Sequence, residues 1–194
     1  MQRICNPKIE CSIHSGGTII ERAYMSLKTI FHKNNNYLSF QSTGNAARFI
    51  MPFAKEIIGE NRIGYDIGCM KPEWAYPDSI LIDLAFDDEY DAYNLPGAKV
   101  DYIFSSHCLE HLPDWVGALN YWAENLKSGG ILFLYLPHES QSYWRPWHNR
   151  KHYHMFNSNM LNLYFKENSH LWSKCFVSEG HDLNNSFCCV AEKV

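Results

Sequence analysis

Several short stretches set acids, histidines and a glycine at the ends of apolar runs. Gly64-Tyr65-Asp66-Ile67-Gly68-Cys69 closes an apolar run on a glycine. A glycine there turns tightly and lets a ligand approach the backbone. Asp66 can fix nearby amides or, through water, a ligand's ammonium group. Alone, the motif serves a plain strand-to-turn junction equally well. Next comes Ile80-Leu81-Ile82-Asp83, an apolar strand ending in an acid. Such an acid can accept both hydrogen bonds of a ribose diol. A helix cap or a solvated strand end is the other reading, and the pairing with Gly68 favours the diol. Asp91-Ala92-Tyr93-Asn94-Leu95-Pro96 sets a short acid and exposed backbone where an adenine edge can be read, with Leu95 against the ring. The same Asn-x-Pro chemistry also makes a simple turn.

Two further runs carry histidines. Asp101 to Asp114 contains a buried strand that delivers Ser105, Ser106 and His107 to its carboxyl end, followed by Glu110 and His111. Leu126 to His138 delivers His138 to the end of a central strand. Ligands of open α/β sheets sit at strand carboxyl ends. A histidine, with an ordinary pKa of roughly 6.5, is suited to take a proton there. His107 and His138 are the candidates for a general base, while Glu110 and His111 begin the next helix and organise the site. The loop after His138 holds Tyr143, Trp144 and Trp147, which can stack on a sugar or ring. Arg145, Arg150 and Lys151 can pair with phosphate or carboxylate. A solvated loop packed on its own tryptophans is the alternative. His148, His152 and His154 with Cys175 are conceivable zinc ligands, but their spacing fits no strong zinc pattern, and no metal is expected.

These groups need elements to position them. Ile50, Phe53, Ala54, Ile57 and Ile58 follow a helical stripe that Thr43 can cap and Gly59 can end, with Pro52 either kinking it or lying in its first turn. Apolar runs at Arg62–Ile67, Ile80–Leu84, Tyr102–Ser105 and Ile131–Leu136 suit parallel strands buried on both faces. A helix is predicted from about Pro113 to Lys127, with Val116, Leu119, Ala123 and Leu126 on one face and Gly129-Gly130 as its stop. Another is predicted over Ser158–Lys166, followed by strands at Leu171–Val177 and Ser186–Ala191. The alternation gives an α/β fold, a Rossmann-like doubly wound, mostly parallel sheet with an antiparallel last strand. Between Leu84 and Asp101 there is no room for a strand between two helices. The sheet is therefore predicted to be shortened on its third-strand side. Residues 1–43 read as an N-terminal extension and 44–194 as the single main domain. Ile19–Phe31 could be a helix. The extension, with Tyr24, Phe31, Tyr37 and Phe40, or a second subunit in a homodimer, would cover the bare face.

Composition limits the function classes. At 194 residues, 46% hydrophobic and 20% charged, the chain suits one globular domain. A net charge of -4 argues against affinity for nucleic acid phosphates. No apolar stretch is long enough to span a bilayer. The opening residues have no apolar core of a signal peptide. Seven cysteines without C-x-x-C spacing read as free thiols of a reducing compartment, so a cytoplasmic location is expected.

Taken in order, these motifs resemble class I S-adenosylmethionine-dependent methyltransferases, most closely the small-molecule and glycan-modifying type. The resemblance covers about Ile63 to His138. It implies S-adenosylmethionine as cofactor. Asp66, Gly68 and Cys69 then match the turn near the methionine moiety, and Asp83 the acid that holds the ribose. Asp91, Ala92 and Leu95 match the adenine contact, and Ser106 and His107 the segment beside the transferring methyl. Met70 and Pro72 stand where the family usually carries further glycines; Pro72 can open a short helix. The implied activity is methyl transfer to a hydroxyl or amine of a small acceptor, anionic or sugar-like, with Tyr143, Trp144, Arg145, Trp147 and Arg150 on the acceptor. A cofactor-binding protein without turnover is the alternative. A nicotinamide oxidoreductase ranks last, since G-x-G-x-x-G is missing.

Overall fold

The computed structural model describes residues 46–86, 88–141, 145–147, 150–182 and 184–194, together with the backbone of 29–32 and 35–38. The chain first forms an antiparallel pair, β1 (Thr29–His32) and β2 (Asn35–Leu38). Phe31 therefore belongs to a strand, not to the end of the helix predicted over Ile19–Phe31. Thr43 and the side chains of Tyr24, Phe31, Tyr37 and Phe40 lie outside the described residues, so the proposed cover does too.

Helix α1 (Ala47–Ile58) follows, with Gly59 at its end in a left-handed conformation at φ 80°. Pro52 sits inside it, beyond the first turn. Strands β3 (Gly64–Ile67) and β4 (Ile80–Ile82) are linked by one 3-10 turn at Pro72–Trp74, which Pro72 opens. Strand β5 (Val100–Ser106) leads through a second 3-10 turn, Leu109–His111, to α2 (Trp115–Asn125). Strand β6 (Leu126–Pro137), α3 (Ser158–Glu167), β7 (Trp172–Val177) and β8 (Ser186–Lys193) complete the chain.

The six-stranded sheet has the order β4-β3-β5-β6-β8-β7. β4, β3, β5 and β6 pair in parallel, while β8 runs antiparallel to both β6 and β7. This is the predicted Rossmann-like sheet. Among the described residues between β4 and β5 there is only an isolated bridge, Asp91 to Asn94, so the sheet ends at β4. The shortening on the third-strand side is as the spacing required.

Alternate residues of each central strand face opposite layers. Ile103, Leu132, Leu134 and Leu136 pack under α2 and α3, against Leu119, Trp122, Ala123, Leu161 and Phe165. Tyr102, Phe104, Phe133 and Tyr135 face α1, meeting Ile50, Phe53, Ala54 and Ile58. Large aromatic side chains make up much of this layer. Among the described residues Tyr76, on the loop after the first 3-10 turn, adds to the cover by packing on Tyr102 and Phe104, with ring centroids 5.0 and 5.3 Å away.

Helix α2 ends earlier than predicted. Leu126 is already extended and starts β6, so Gly129 and Gly130 lie within the strand and do not stop the helix. They fall where the β5–β6 register shifts, between Val100 and Tyr102, and Gly129 takes φ 74°. The glycines serve a strand irregularity, which their freedom permits as readily as a helix stop. Val116, predicted to face the core, is exposed.

Candidate functional site

The carboxyl ends of β3, β4 and β5 surround two adjoining cavities. The larger, about 500 Å³, is walled by Ile82, Asp83, Asp91, Ala92 and Tyr93 on one side and by Cys108, Leu112 and Lys151 on the other. The smaller, about 240 Å³, is walled by Asp66, Cys69, Trp74, Ser106, Glu110, His152 and Asn184, with Ala46 and Ala47 of α1. Gly68, Met70, His107 and His111 belong to both.

Gly68 anchors the boundary. Its N–H donates to Ile82 O at 2.8 Å, tying the β3 turn to the end of β4. Its φ is 84°, and a Cβ there would stand 2.4 Å from the Cβ of Cys108 and 2.5 Å from its sulfur. The sequence suggested a glycine that makes way for a ligand; the space it leaves is taken by Cys108. Met70 has φ 59°, a left-handed conformation in which a glycine would be at ease. What holds it is Asp83, whose Oδ2 accepts the Met70 N–H at 2.7 Å. Asp83 Oδ1 accepts from Ala85 N–H at 2.9 Å. The carboxylate is thus oriented by two amides, and each oxygen keeps a further lone pair for a ligand in the larger cavity.

Asp66 is almost wholly buried and accepts the Tyr76 N–H at 2.6 Å. Burial pushes its carboxyl up to about 7. The buried Cys69 thiol is pushed up to about 12, so it is protonated and inert. Asp91 Oδ1 accepts from Tyr93 N–H at 2.7 Å in a turn of its own. The Ala92 carbonyl accepts from Trp122 Nε1 at 2.7 Å, which fastens this wall to α2. Leu95 is different: it lies in the core, its N–H donating to the Tyr121 hydroxyl, and is not a cavity wall.

Of the two candidate bases, the structure brings one to the cavities. His107 follows β5 with φ 53°, its Nε2 3.0 Å from Ser186 Oγ and its Nδ1 3.7 Å from Glu110 Oε1. Burial holds the imidazolium down, to about 3, and the ring is neutral. His138 corrects the expectation from sequence. Its Nδ1 lies 2.9 Å from Ser140 Oγ and its ring packs on His181 and Phe187, away from both cavities. The isolated bridge of His138 with Phe156 and the pairing of β6 with β8 turn that strand end aside.

Of the predicted acceptor residues, the three that are described stand apart from the two cavities. Tyr143 and Trp144 lie outside the described residues. Arg145 stacks over Trp147, 5.4 Å from the ring centroid, and Trp147 and Arg150 are exposed. None of these three walls a cavity; the later loop residues Lys151 and His152 do. The zinc set suggested from sequence does not form either. His154 Nε2 lies 3.0 and 3.1 Å from the carbonyls of Leu112 and Pro113, Cys175 is exposed on β7, and His148 lies outside the described residues.

Glu110 and His111, expected to begin the next helix and organise the site, lie instead in a 3-10 turn ahead of that helix and wall the smaller cavity. Glu110 is fully buried, and neither carboxylate oxygen has a hydrogen bond among the described residues. Burial pushes it up to about 8. His111 Nε2 stands 3.8 Å from Glu110 Oε1, and the rings of His111 and His152 meet edge-on with centroids 4.5 Å apart. The signal for Glu110 and His111 was the His107-x-x-Glu110-His111 spacing, which a 3-10 turn folds onto one side; His152, far along the chain, suggested only a zinc set with His148, His154 and Cys175.

The fold and site define a Rossmann-like protein with a bipartite cavity at the strand ends. The family model described as a methyltransferase domain matches residues 25–168, and the chain belongs to that family. Solved structures share the fold. One is a SAM-dependent methyltransferase from Thermotoga maritima, at TM-score 0.57 and 13% identity over 80% of this chain and 92% of that one. Another is the N-methyltransferase NodS from Bradyrhizobium japonicum in complex with S-adenosylhomocysteine, at TM-score 0.53 and 15% identity over 90% and 95%. A third, from Burkholderia thailandensis, is 1,6-didemethyltoxoflavin-N1-methyltransferase with S-adenosylhomocysteine, at TM-score 0.54 and 14% identity over 79% and 81%. No curated protein matches the chain significantly by sequence. Among the described residues, no helix is long and apolar enough to cross a membrane.

Proposed function

We propose that the chain transfers a methyl group from S-adenosylmethionine to a hydroxyl or amine of a small acceptor, anionic or sugar-like. The observation that carries this reading is the joining of two cavities across the Gly68 turn, with Asp83 in one and Asp66 and Ser106 in the other. Bound there, the cofactor supplies a methyl group made electrophilic by its sulfonium. Asp83, held by Met70 and Ala85, offers its remaining lone pairs to a ribose diol. Asp91, Ala92 and Tyr93 wall the adenine end. Asp66, Cys69 and Ser106 wall the amino-acid end, where the acceptor also enters. His107 borders both spaces, so its neutral ring, not that of His138, can orient the acceptor by hydrogen bonding, without holding the acceptor's proton. The family membership and the methyltransferase neighbours of the same fold support the reading.

Calorimetric titration with S-adenosylmethionine and S-adenosylhomocysteine tests it. Both should bind, and Asp83→Ala should weaken them about 10- to 100-fold, the worth of losing hydrogen bonds to a charged group. Absence of uptake by the wild-type chain overturns the reading. Uptake without S-adenosylhomocysteine formation across a panel of hydroxyl and amine acceptors favours the binding protein without turnover.

A further inference from the structure

We propose that Glu110, His111 and His152 hold a divalent transition-metal ion at the floor of the smaller cavity. One ligand atom from each residue lies within 4.8 Å of the others. Metal bonds of about 2.1 Å put neighbouring ligand atoms about 3–4 Å apart. Glu110 Oε1 and His111 Nε2, at 3.8 Å, are already at that spacing.

The cluster is built, not incidental. The Glu110 carbonyl accepts the Tyr153 N–H at 2.8 Å and the His154 N–H at 3.4 Å, which fastens the loop bearing His152 to the turn bearing the other two residues. His111 Nδ1 lies 2.9 Å from the Lys151 carbonyl. A ring nitrogen facing a carbonyl carries the proton, so Nε2 is the one with a lone pair, and it points at Glu110. This is how metal-binding histidines are oriented, by a hydrogen bond from the other nitrogen. Glu110 Oε1, fully buried, and His111 Nε2, on a ring about a third exposed, then face each other 3.8 Å apart. Neither oxygen of Glu110 has a hydrogen bond among the described residues. A cation between them, displacing any proton on Glu110, is coordinated by both.

The donor set selects the ion. Two imidazoles and one carboxylate favour zinc, iron, manganese or cobalt over calcium and magnesium, which prefer oxygen. Three protein ligands leave open positions, and the cavity beyond them is bordered by Asp66, Ser106 and Asn184. An oxygen donor that reaches such an ion is acidified. Resting on the methyl-transfer reading, this narrows the acceptor to a hydroxyl compound. Its O–H gives its proton to solvent, the oxygen takes the methyl carbon, and the electron pair of the broken sulfur–carbon bond stays on sulfur.

The test uses the full chain, stripped with chelator and titrated with zinc and manganese by calorimetry and elemental analysis. One ion per chain is expected, with Glu110→Gln and His152→Ala each weakening it at least 10-fold. Manganese or cobalt should also broaden or shift the ring NMR signals of His111 and His152 in the wild-type protein, which locates the ion even if a variant does not fold. No stoichiometric uptake, equal uptake by wild type and folded variants, or unperturbed signals of these two rings overturns the site. S-adenosylhomocysteine titration of the stripped protein is read separately. Cofactor binding without metal uptake sinks the metal site alone, and metal uptake without cofactor binding sinks the methyl-transfer reading alone.

Discussion

At the scale of the residue, burial does most of the chemistry seen here. Asp66 is held by one amide and otherwise enclosed, so its folded carboxyl sits near 7 against an ordinary 3.8. A carboxyl raised on folding binds its proton more tightly in the native state. Its contribution to stability is full below about pH 4 and is lost as pH rises through about 7. Without ligand, Asp66→Asn, which mimics the protonated group, should melt close to wild type at pH 4. It should exceed wild type at pH 8 by up to a few kcal/mol. Thermal melts across pH 4–8 check this, and a constant gap would show that Asp66 does not titrate in the folded chain. Gly68 and Met70 make a companion point. Both take left-handed backbone, yet one is a glycine because Cys108 fills the space beside it, and the other is held there by Asp83.

At the scale of the element, α1 carries a built-in weakness. Pro52 lies in its interior, on the exposed side, where it has no N–H to give to the carbonyl of Arg48 one turn back. An interior proline costs a helix about 3 kcal/mol against alanine, and no packing is lost by trimming an exposed ring. Pro52→Ala should therefore stabilise the chain by about 1–3 kcal/mol in urea unfolding; a destabilised variant would mean that the proline's backbone shape is needed for the fit of α1 on Phe133 and Tyr135. The stripe that Ile50, Phe53, Ala54 and Ile58 make was legible because helical spacing survives a proline. The ends of α2 were not, since Gly129 and Gly130 have the same freedom in a strand bulge as at a helix stop.

At the scale of the whole molecule, the ligand space is bordered by segments distant in sequence, from Ala46 to Asn184. A ligand there ties the strand-end loops together and stabilises the native state only. S-adenosylhomocysteine at about 100 times its Kd should add about 2.7 kcal/mol. For a chain of this size that is about 5–10 °C in Tm. A melt that does not move with ligand would mean that the native chain does not bind the cofactor. The same long-range closure explains what the motifs missed. His138 and His107 end neighbouring strands and look alike in sequence, but β8 and the Phe156 bridge turn one away while Ser186 and Tyr135 hold the other at the cavity.

From residue 47 onward, the sequence alone set the order of strands and helices, the parallel sheet cut short beyond Ile82, and the acids and glycine at the strand ends. These follow from local periodicity and from the chain length between elements, quantities that neighbours along the chain set. Only the tertiary structure decided which histidine meets the cavity, that Leu95 belongs to the core, and that His152 joins Glu110 and His111. Those outcomes depend on packing and hydrogen bonds between segments far apart in the chain, and no local spacing encodes them.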